Sequence, residues 1–362
     1  MIEWFNNLSP TTQFALFAAI KAMAAFGVMM TMVAYIVLVE RRVCAFMQDR
    51  IGPNRTGWFG LLQPAADGIK AFFKEEFTPA HVRKIYFMLA PAICLMPAIL
   101  NLAVIPFGSK IGGQSMVLAD LNVGILYTFG MVSMGVYSIV LAGYASNSKF
   151  PFLGGIRSSA QMISYEIAMG MSVIPIFMLV GSLNLSDVIR YQTGTLSWLP
   201  AALHFPNWLV FQSPMMFLAF VIFLVSSFAE TNRTPFDLPE AEQELAGGYN
   251  IEYSSIKFAL FFMGEYANMI LVSAMMVTLF FGGWTLPWFG LDQPADSLGK
   301  GVLHIGIFLA KVFAFLLMFI WVRWMWPRFR YDQLMDLGWR RFIPVALANI
   351  LVTATWLWWR AI

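Results

Sequence analysis

Stretches without any Asp, Glu, Lys or Arg recur along the chain and form its most visible pattern. A helix that crosses a bilayer needs about 20 mostly apolar residues, and most of these stretches are long enough. They cover residues 22–39, 85–109, 121–148, 167–186, 191–229, 266–291 and 342–359. This pattern predicts a protein that crosses a membrane several times.

Two parts of the pattern need interpretation. The stretch 191–229 is too long for one span and is interrupted by His204 and three prolines, so we expect a helix over about its last 17 residues. A further apolar stretch, 301–322, is interrupted only by Lys311. The sequence thus predicts eight transmembrane helices in a single all-α polytopic membrane domain, 1–362.

The composition agrees with this class. Hydrophobic residues make up 59% of the chain and charged residues 12%, whereas a soluble domain carries about 25% charged residues. The two cysteines and three histidines are scattered, without the spacing of a metal site. We therefore expect no metal, no cofactor and no catalytic residue in this chain. The small net charge of +3 does not indicate nucleic-acid binding.

The basic residues give an orientation. If the N-terminus faces outward, the cytoplasmic connections carry sixteen Lys and Arg residues, and the opposite side carries four: Lys110, Arg190, Lys300 and Arg360. Cytoplasmic loops of multi-pass proteins hold the excess of Lys and Arg. We therefore predict that the N-terminus lies outside.

The segment 58–76, between the first two spans, has two stripes at helical spacing. The apolar stripe consists of Leu62, Ala65, Ala66, Ile69, Phe72 and Phe73, and the polar stripe of Gln63, Asp67, Lys70 and Lys74. The segment is too short and too charged to span, so we expect one amphipathic helix along the interface. The same periodicity is equally typical of a connector packed on the bundle.

An arginine-rich turn precedes this helix, in the run ERRVCAFMQDRIGPNRTG. Its arginines are Arg41, Arg42, Arg50 and Arg55. Gly52 and Pro53 predict turns within it. Such a turn can hold anionic lipid headgroups or dock a partner protein, and the pattern leaves both open.

Two acids fall within apolar stretches. Glu265 directly precedes 26 residues without another charge, and Glu166 lies on a polar face of the fourth span. A charge at the bilayer centre costs about 2.5–3.5 kcal/mol even on lenient scales. A functional role is therefore the first interpretation for both.

The connection between the fifth and sixth spans is acidic. It carries Glu230, Asp237, Glu240, Glu242, Glu244 and Glu252 against one base, Arg233. Crowded, partly dehydrated carboxylates can exchange protons near neutral pH. The alternative is a solvated acidic loop that pairs with a basic partner. Helix-dipole complementation explains Glu252, and Asp237 is equally typical of a turn cap.

Several runs together resemble one family. GLLQPAADGIKAFFKE (residues 60–75) and PFDLPEAEQELAGG (235–248) look like the two signatures of the H subunit of respiratory complex I, called subunit 1 in mitochondria. ERRVCAFMQDRIGPNR, SSAQMISYE and GEYANMI resemble further runs of that family, in the same order. The resemblance covers nearly the whole chain, and its departure is a longer segment at 193–208.

The resemblance implies a membrane subunit of a proton-translocating NADH:quinone oxidoreductase in a bacterial inner membrane. Family members wall a quinone chamber together with two peripheral-arm subunits and also adjoin small membrane subunits, while the FMN and iron–sulfur clusters lie in partner subunits. Quinone and membrane lipid are the implied ligands. The implied proton path comprises Glu166, Glu230, Glu240, Glu242, Glu244 and Glu265. The residues expected at the quinone are Arg41, Arg42, Arg50, Arg55, Leu62, Asp67, Ile69, Phe72 and Phe73.

Two other functions are compatible with a membrane bundle of this kind. A stand-alone secondary transporter would show internal repeats, and none is visible in the sequence. The homologous membrane subunit of an energy-converting hydrogenase or a ferredoxin-linked complex is the closer alternative.

Overall fold

A computed structural model describes residues 10–111, 114–196, 205–237, 247–288 and 290–361 of the chain. The helices are α1 (Pro10–Met47), α2 (Gln63–Phe73), α3 (Lys84–Asn101), α4 (Gly124–Ala145), α5 (Lys149–Val180), α6 (Leu185–Tyr191), α7 (Leu209–Gln212), α8 (Pro214–Glu230), α9 (Ser255–Phe280), α10 (Leu298–Met325), α11 (Tyr331–Asp336) and α12 (Ile343–Ala361). A π-helix (Leu337–Phe342) joins α11 to α12, and β1 (Lys110–Ile111) pairs antiparallel with β2 (Gln114–Ser115).

The predicted all-α membrane class is confirmed. Within the described ranges, seven helical segments are long and apolar enough to cross a bilayer, with α11, the π-helix and α12 counted as one. Helix α8 is apolar but has 17 residues, about 25 Å of helix against a hydrocarbon core of about 30 Å. Its position is the one expected from the prolines, while the count of eight spans and the outward N-terminus stay predictions.

The fourth span extends well beyond the N-terminal end of its charge-free stretch, 167–186. Helix α5 covers Lys149–Val180, with Arg157 and Glu166 inside it, so Glu166 lies within the span as the sequence predicts. The helix ends at Gly181, whose φ of 76° is the left-handed conformation that terminates helices.

The apolar stretches that predict the sixth and second spans extend beyond the C-terminal ends of their helices. The apolar stretch 266–291 continues past Phe280, where α9 ends before Gly282 and Gly283, both with positive φ. The stretch 85–109 likewise outlasts α3, which ends at Asn101. The absence of charge marks apolar surroundings, whereas glycine conformation and local hydrogen bonds decide where a helix stops.

Helix α9 lies at the centre of the bundle. Every residue from Met269 to Phe280 is buried, and the helix contacts α1, α2, α3, α6, α7, α8 and α10. It also carries Glu265 within the span, as the sequence predicts. Side chains on this helix can therefore contact most of the other helices of the bundle.

The C-terminal end of α9 is held by a lysine. This lysine is Lys311, which lies in the middle of α10. Its Nζ donates to the carbonyls of Phe281 (2.8 Å), Gly283 (2.9 Å) and Thr285 (2.8 Å). A helix end carries carbonyls without partners in the helix, and this ammonium group satisfies the turn that follows α9.

The other end of α9 is tied to the segment after α2. The Oγ of Ser255 donates to the carbonyls of Ala71 (3.0 Å) and Lys74 (2.8 Å). Lys257, which is buried, pairs with Glu76 at 2.6 Å. The amphipathic helix and the central helix are therefore linked directly.

Replacing Lys311 tests the role of its ammonium group. Lys311→Met keeps the chain length but leaves buried carbonyls without a donor, at about 1–3 kcal/mol for an unsatisfied group. We expect a lower thermal unfolding midpoint of the protein in detergent. Lys300→Met is the control, since Lys300 Nζ makes only a 3.5 Å contact with the Pro294 carbonyl. Equal midpoints for the two variants would contradict this role.

Candidate functional site

A buried cluster of charged and aromatic groups joins α1, α9, α10 and the segment after α8. Its centre is Glu40, which is 5% exposed. Glu40 accepts a hydrogen bond from the Tyr266 hydroxyl (2.6 Å) and another from Arg323, and Arg233 Nη1 lies 3.6 Å from its Oε1. One carboxylate thus faces two guanidinium groups, which is how a buried charge is tolerated. We call Glu40, Arg233, Tyr266 and Arg323 the Glu40 cluster.

Arg233 is held in this cluster from several sides. Its guanidinium carbon lies 4.3 Å from the centroid of the Tyr266 ring, a cation–π arrangement. Burial alone would lower the pKa of Arg233, but its interactions with Tyr266, Glu40 and Glu265 outweigh burial and raise the pKa. Arg233 is therefore a fixed positive charge between two carboxylates.

Glu265 precedes Tyr266 on α9 and faces a different neighbour. Its Oε1 accepts a hydrogen bond from the Tyr249 hydroxyl at 3.0 Å. Tyr249 is buried in the connection before α9. Successive residues on a helix are about 100° apart, so Tyr266 reaches Glu40 while Glu265 reaches the acidic connection.

A cavity of about 600 Å³ lies between α1, α2, α9 and α10. Its wall is apolar along Val33 and Val37 and polar where Glu40, Arg41 and Asp67 line it. We call it the large cavity. An elongated molecule with an apolar body and a polar head has the matching chemistry.

A second cavity of about 110 Å³ lies on the other side of the cluster. It is lined by Arg233, Asp237 and Glu265 among others, and we call it the polar cavity. Tyr266 and Arg323 line both cavities. The Glu40 cluster therefore forms the partition between the large cavity and the small polar one.

Two further acids lie deeper, near α5 and α8. Glu166 accepts a hydrogen bond from the Ser133 hydroxyl. Glu230 is 5% exposed, and its Oε2 has no hydrogen-bond partner among the described residues. The two carboxylates are close enough to interact electrostatically. An unpaired buried carboxylate is costly when ionised, which favours proton uptake.

Gln161, on the same helix as Glu166, holds the segment that carries Glu230 and Arg233. Its Nε2 donates to the carbonyls of Ala229 (2.8 Å) and Phe236 (2.9 Å). Gln161 is fully buried. The segment 229–236 is thereby fixed between α5 and the Glu40 cluster.

Comparison with known proteins decides the family. The model of the NADH dehydrogenase family matches residues 20–354. The chain belongs to this family. It is 47% identical to the NADH-quinone oxidoreductase H subunit 1 of Cytophaga hutchinsonii over 348 residues, which is 94% of this chain and 96% of that protein.

Other relatives are similarly close. The chain is 49% identical to the NADH-quinone oxidoreductase H subunit 1 of Geobacter metallireducens, over 91% of this chain and 92% of the relative. It is 46% identical to the corresponding H subunit of Rhodospirillum rubrum, over 98% of this chain and 96% of the relative. The family predicted from the two signatures is confirmed, and this chain is a multi-pass membrane member of it.

The structure places the predicted arginines differently from one another. Arg41 lines the large cavity and pairs with Asp67 at 2.7 Å. Arg50 lines both the large cavity and a surface cavity of about 490 Å³. Arg42 lines the surface cavity but not the large cavity. Arg55 lines neither of them. Quinone binding by these residues stays a prediction.

The amphipathic helix turns its polar and small residues towards the large cavity. Pro64, Asp67, Gly68 and Ala71 line it. The apolar residues expected at the quinone, Leu62, Ile69, Phe72 and Phe73, do not line it and are 57%, 60%, 67% and 81% exposed. In a membrane, this apolar face is the one suited to contact lipid.

Three members of the predicted proton path, Glu240, Glu242 and Glu244, lie outside the described residues. Glu252 lies 3.9 Å from His81. Asp237 pairs with Arg328 at 3.1 Å. The predicted path is therefore represented in the described chain by Glu166, Glu230 and Glu265.

Sequence reasoning missed Glu40, Tyr266 and Arg323 as site residues. Glu40 closes the first apolar stretch, directly before two arginines, and this position inside the arginine-rich run was the available signal. Arg323 was counted only among the sixteen basic residues from which the orientation is predicted. Nothing in the local sequence pairs residues that lie more than 200 positions apart.

The hold of Gln161 on residues 229–236 is testable without an activity assay. Gln161→Leu removes the donor and keeps the approximate size, so we expect faster amide hydrogen exchange across 229–236. Mass spectrometry of the exchanged protein measures this. Ser159→Ala is the matched control, because the Ser159 hydroxyl bonds only the Ile156 carbonyl of its own helix. Unchanged exchange in Gln161→Leu would show that packing alone fixes the segment.

Proposed function

We propose that this chain is the membrane subunit of a bacterial inner-membrane NADH-quinone oxidoreductase that walls the quinone chamber and couples quinone reduction to proton translocation. The names of its relatives support the complex, and none of the relatives reported above is a hydrogenase subunit. The hydrogenase and ferredoxin-linked alternative is therefore not favoured. FMN, the iron–sulfur clusters and the chemistry at the quinone head belong to partner subunits in this proposal.

The observation that carries the proposal is the position of the Glu40 cluster. It separates the large cavity, whose apolar and polar walls suit a quinone, from the polar cavity that contains Glu265. A change of charge on one side of this partition acts on carboxylates on the other side across a short, poorly screened distance.

The proton path follows from the same arrangement. Glu265 opens onto the polar cavity, and segment 229–236 connects that cavity to Glu230 and Glu166. The predicted members Glu240, Glu242 and Glu244 extend the path into the acidic loop. Interacting acids titrate as a set, so in this proposal quinone reduction shifts protons across the whole group.

Neutralising Glu265 tests the coupling. Glu265→Gln keeps the shape and removes the charge, so we expect quinone reduction and proton pumping to fall together in membrane vesicles that oxidise NADH. Protons translocated per NADH and the turnover rate are measured on preparations with equal assembly. Glu252→Gln is the control, since Glu252 lines neither the large nor the polar cavity. Normal turnover and pumping in Glu265→Gln would remove the support for the path.

Quinone binding on one face of α2 or on the other leads to opposite predictions for two substitutions. A side chain at Gly68 would enter the large cavity, where a Cβ meets no atom within 4 Å. Gly68→Leu should therefore raise the KM for quinone several-fold, while NADH oxidation by a hydrophilic artificial acceptor stays intact. Phe72→Asp alters the exposed apolar face. A large effect of Phe72→Asp with none of Gly68→Leu would place the quinone on the apolar face instead.

A further inference from the structure

A third cavity, an apolar groove of about 280 Å³, lies towards the opposite end of the bundle from the Glu40 cluster. Helix α9 forms its floor through the buried side chains of Ile270, Leu271 and Ala274, and α1 and α10 form its walls. Ala24 and Val28 line the groove and remain exposed, so it opens to the surface. Among the lining residues that the structure describes, Lys21 is the single polar one.

The groove is separate from the large cavity. On α1, the groove is lined by residues between Lys21 and Met32, whereas the large cavity is lined by residues between Met30 and Cys44. None of the lining residues is shared between the two. A molecule in the groove therefore lies nearer the N-terminal end of α1 than a molecule in the large cavity.

Lys21 stands at one end of the groove. Its Nζ donates to the carbonyls of Ser115 (3.2 Å) and Val117 (3.1 Å), at and just after β2. An ammonium group has three donors, and Nζ also lies 5.2 Å from the centroid of the Phe17 ring. No carboxylate in the described part of the chain lies within ion-pair distance of Lys21. The groove thus ends in a positive charge that has no carboxylate partner among the described residues.

The surroundings restrict what can fill this groove. It opens between segments long and apolar enough to cross a bilayer, so molecules of the bilayer reach it first. An almost wholly apolar cavity does not hold water but accepts a hydrocarbon chain. The cation at its end favours an anionic headgroup, which a neutral quinone lacks.

We propose that the groove binds one acyl chain of an anionic phospholipid, whose phosphate contacts Lys21. The bound lipid fills the space between α1 and α10 and contacts the floor formed by α9. It supplies an anionic partner for Lys21, which has none among the described residues.

The test uses the assembled membrane complex in lipid nanodiscs with phosphatidylglycerol that carries a photoactivatable acyl chain. After illumination, we expect mass spectrometry to find labelled peptides from 21–32 and 305–312. Lys21→Gln should reduce this labelling roughly fivefold. Ala24→Trp, which places a bulky side chain in the groove wall, should nearly abolish it.

Two matched controls should leave the labelling unchanged. Ala22→Trp adds the same bulk to an exposed position of α1 that does not line the groove, and Lys300→Gln removes a positive charge elsewhere. Phosphatidylcholine carries the same phosphate but no net charge, so a phosphatidylcholine probe should label the groove more weakly and lose less of its labelling in Lys21→Gln.

Three results would overturn the proposal. The first is labelling by phosphatidylglycerol that survives both Lys21→Gln and Ala24→Trp. The second is equal labelling by the two phospholipids without any effect of Lys21→Gln, since the phosphate then makes no contact with the lysine. The third is loss of the groove label when excess quinone is added, which would assign the groove to quinone.

Discussion

The pairing of Glu40 with two arginines is the interaction on which the site depends. The buried Glu40 carboxylate depends on Arg233 and on Arg323, whose side chain is 41% exposed, because removing a partner leaves a buried charge uncompensated. The cluster draws its members from α1, α10 and the segment after α8, with Tyr266 from α9 completing the contacts. Electrostatics therefore fixes how these elements meet, and the two cavities lie on either side of the meeting point.

Polar side chains elsewhere in the bundle bind backbone carbonyls where helices end or loops begin. Gln161 and Lys311 each donate to several such carbonyls. Other buried polar atoms have no hydrogen-bond partner in the described part of the chain, among them Gln161 Oε1, His304 Nε2 and Glu230 Oε2. Glu230 Oε2 is the carboxylate oxygen in this group, and a buried carboxylate oxygen without a partner makes ionisation costly.

The sequence was sufficient for the class of fold, the family and most of the spans, because hydrophobic runs and two long signatures are local signals. It also identified Glu166 and Glu265 as unusual, since a charge inside a membrane span is costly, and it placed Glu230 in the acidic connection. It could not find Glu40 as the centre of a cluster, because that role comes from contacts with distant residues. The sequence also could not show which face of α2 packs on the bundle. An amphipathic pattern separates an apolar from a polar face but does not indicate which of the two contacts the protein.

Helix α9 is held at both ends. Lys311 binds the carbonyls that follow its last turn, and Ser255 and Lys257 bind its first turn to the segment after α2. A slide by one helical turn, about 5.4 Å, would break both attachments together. The attachments at its two ends therefore oppose axial displacement of α9. The coupling proposed for Glu265 would then act through rearranged hydrogen bonds and charges, without a shift of the helix itself.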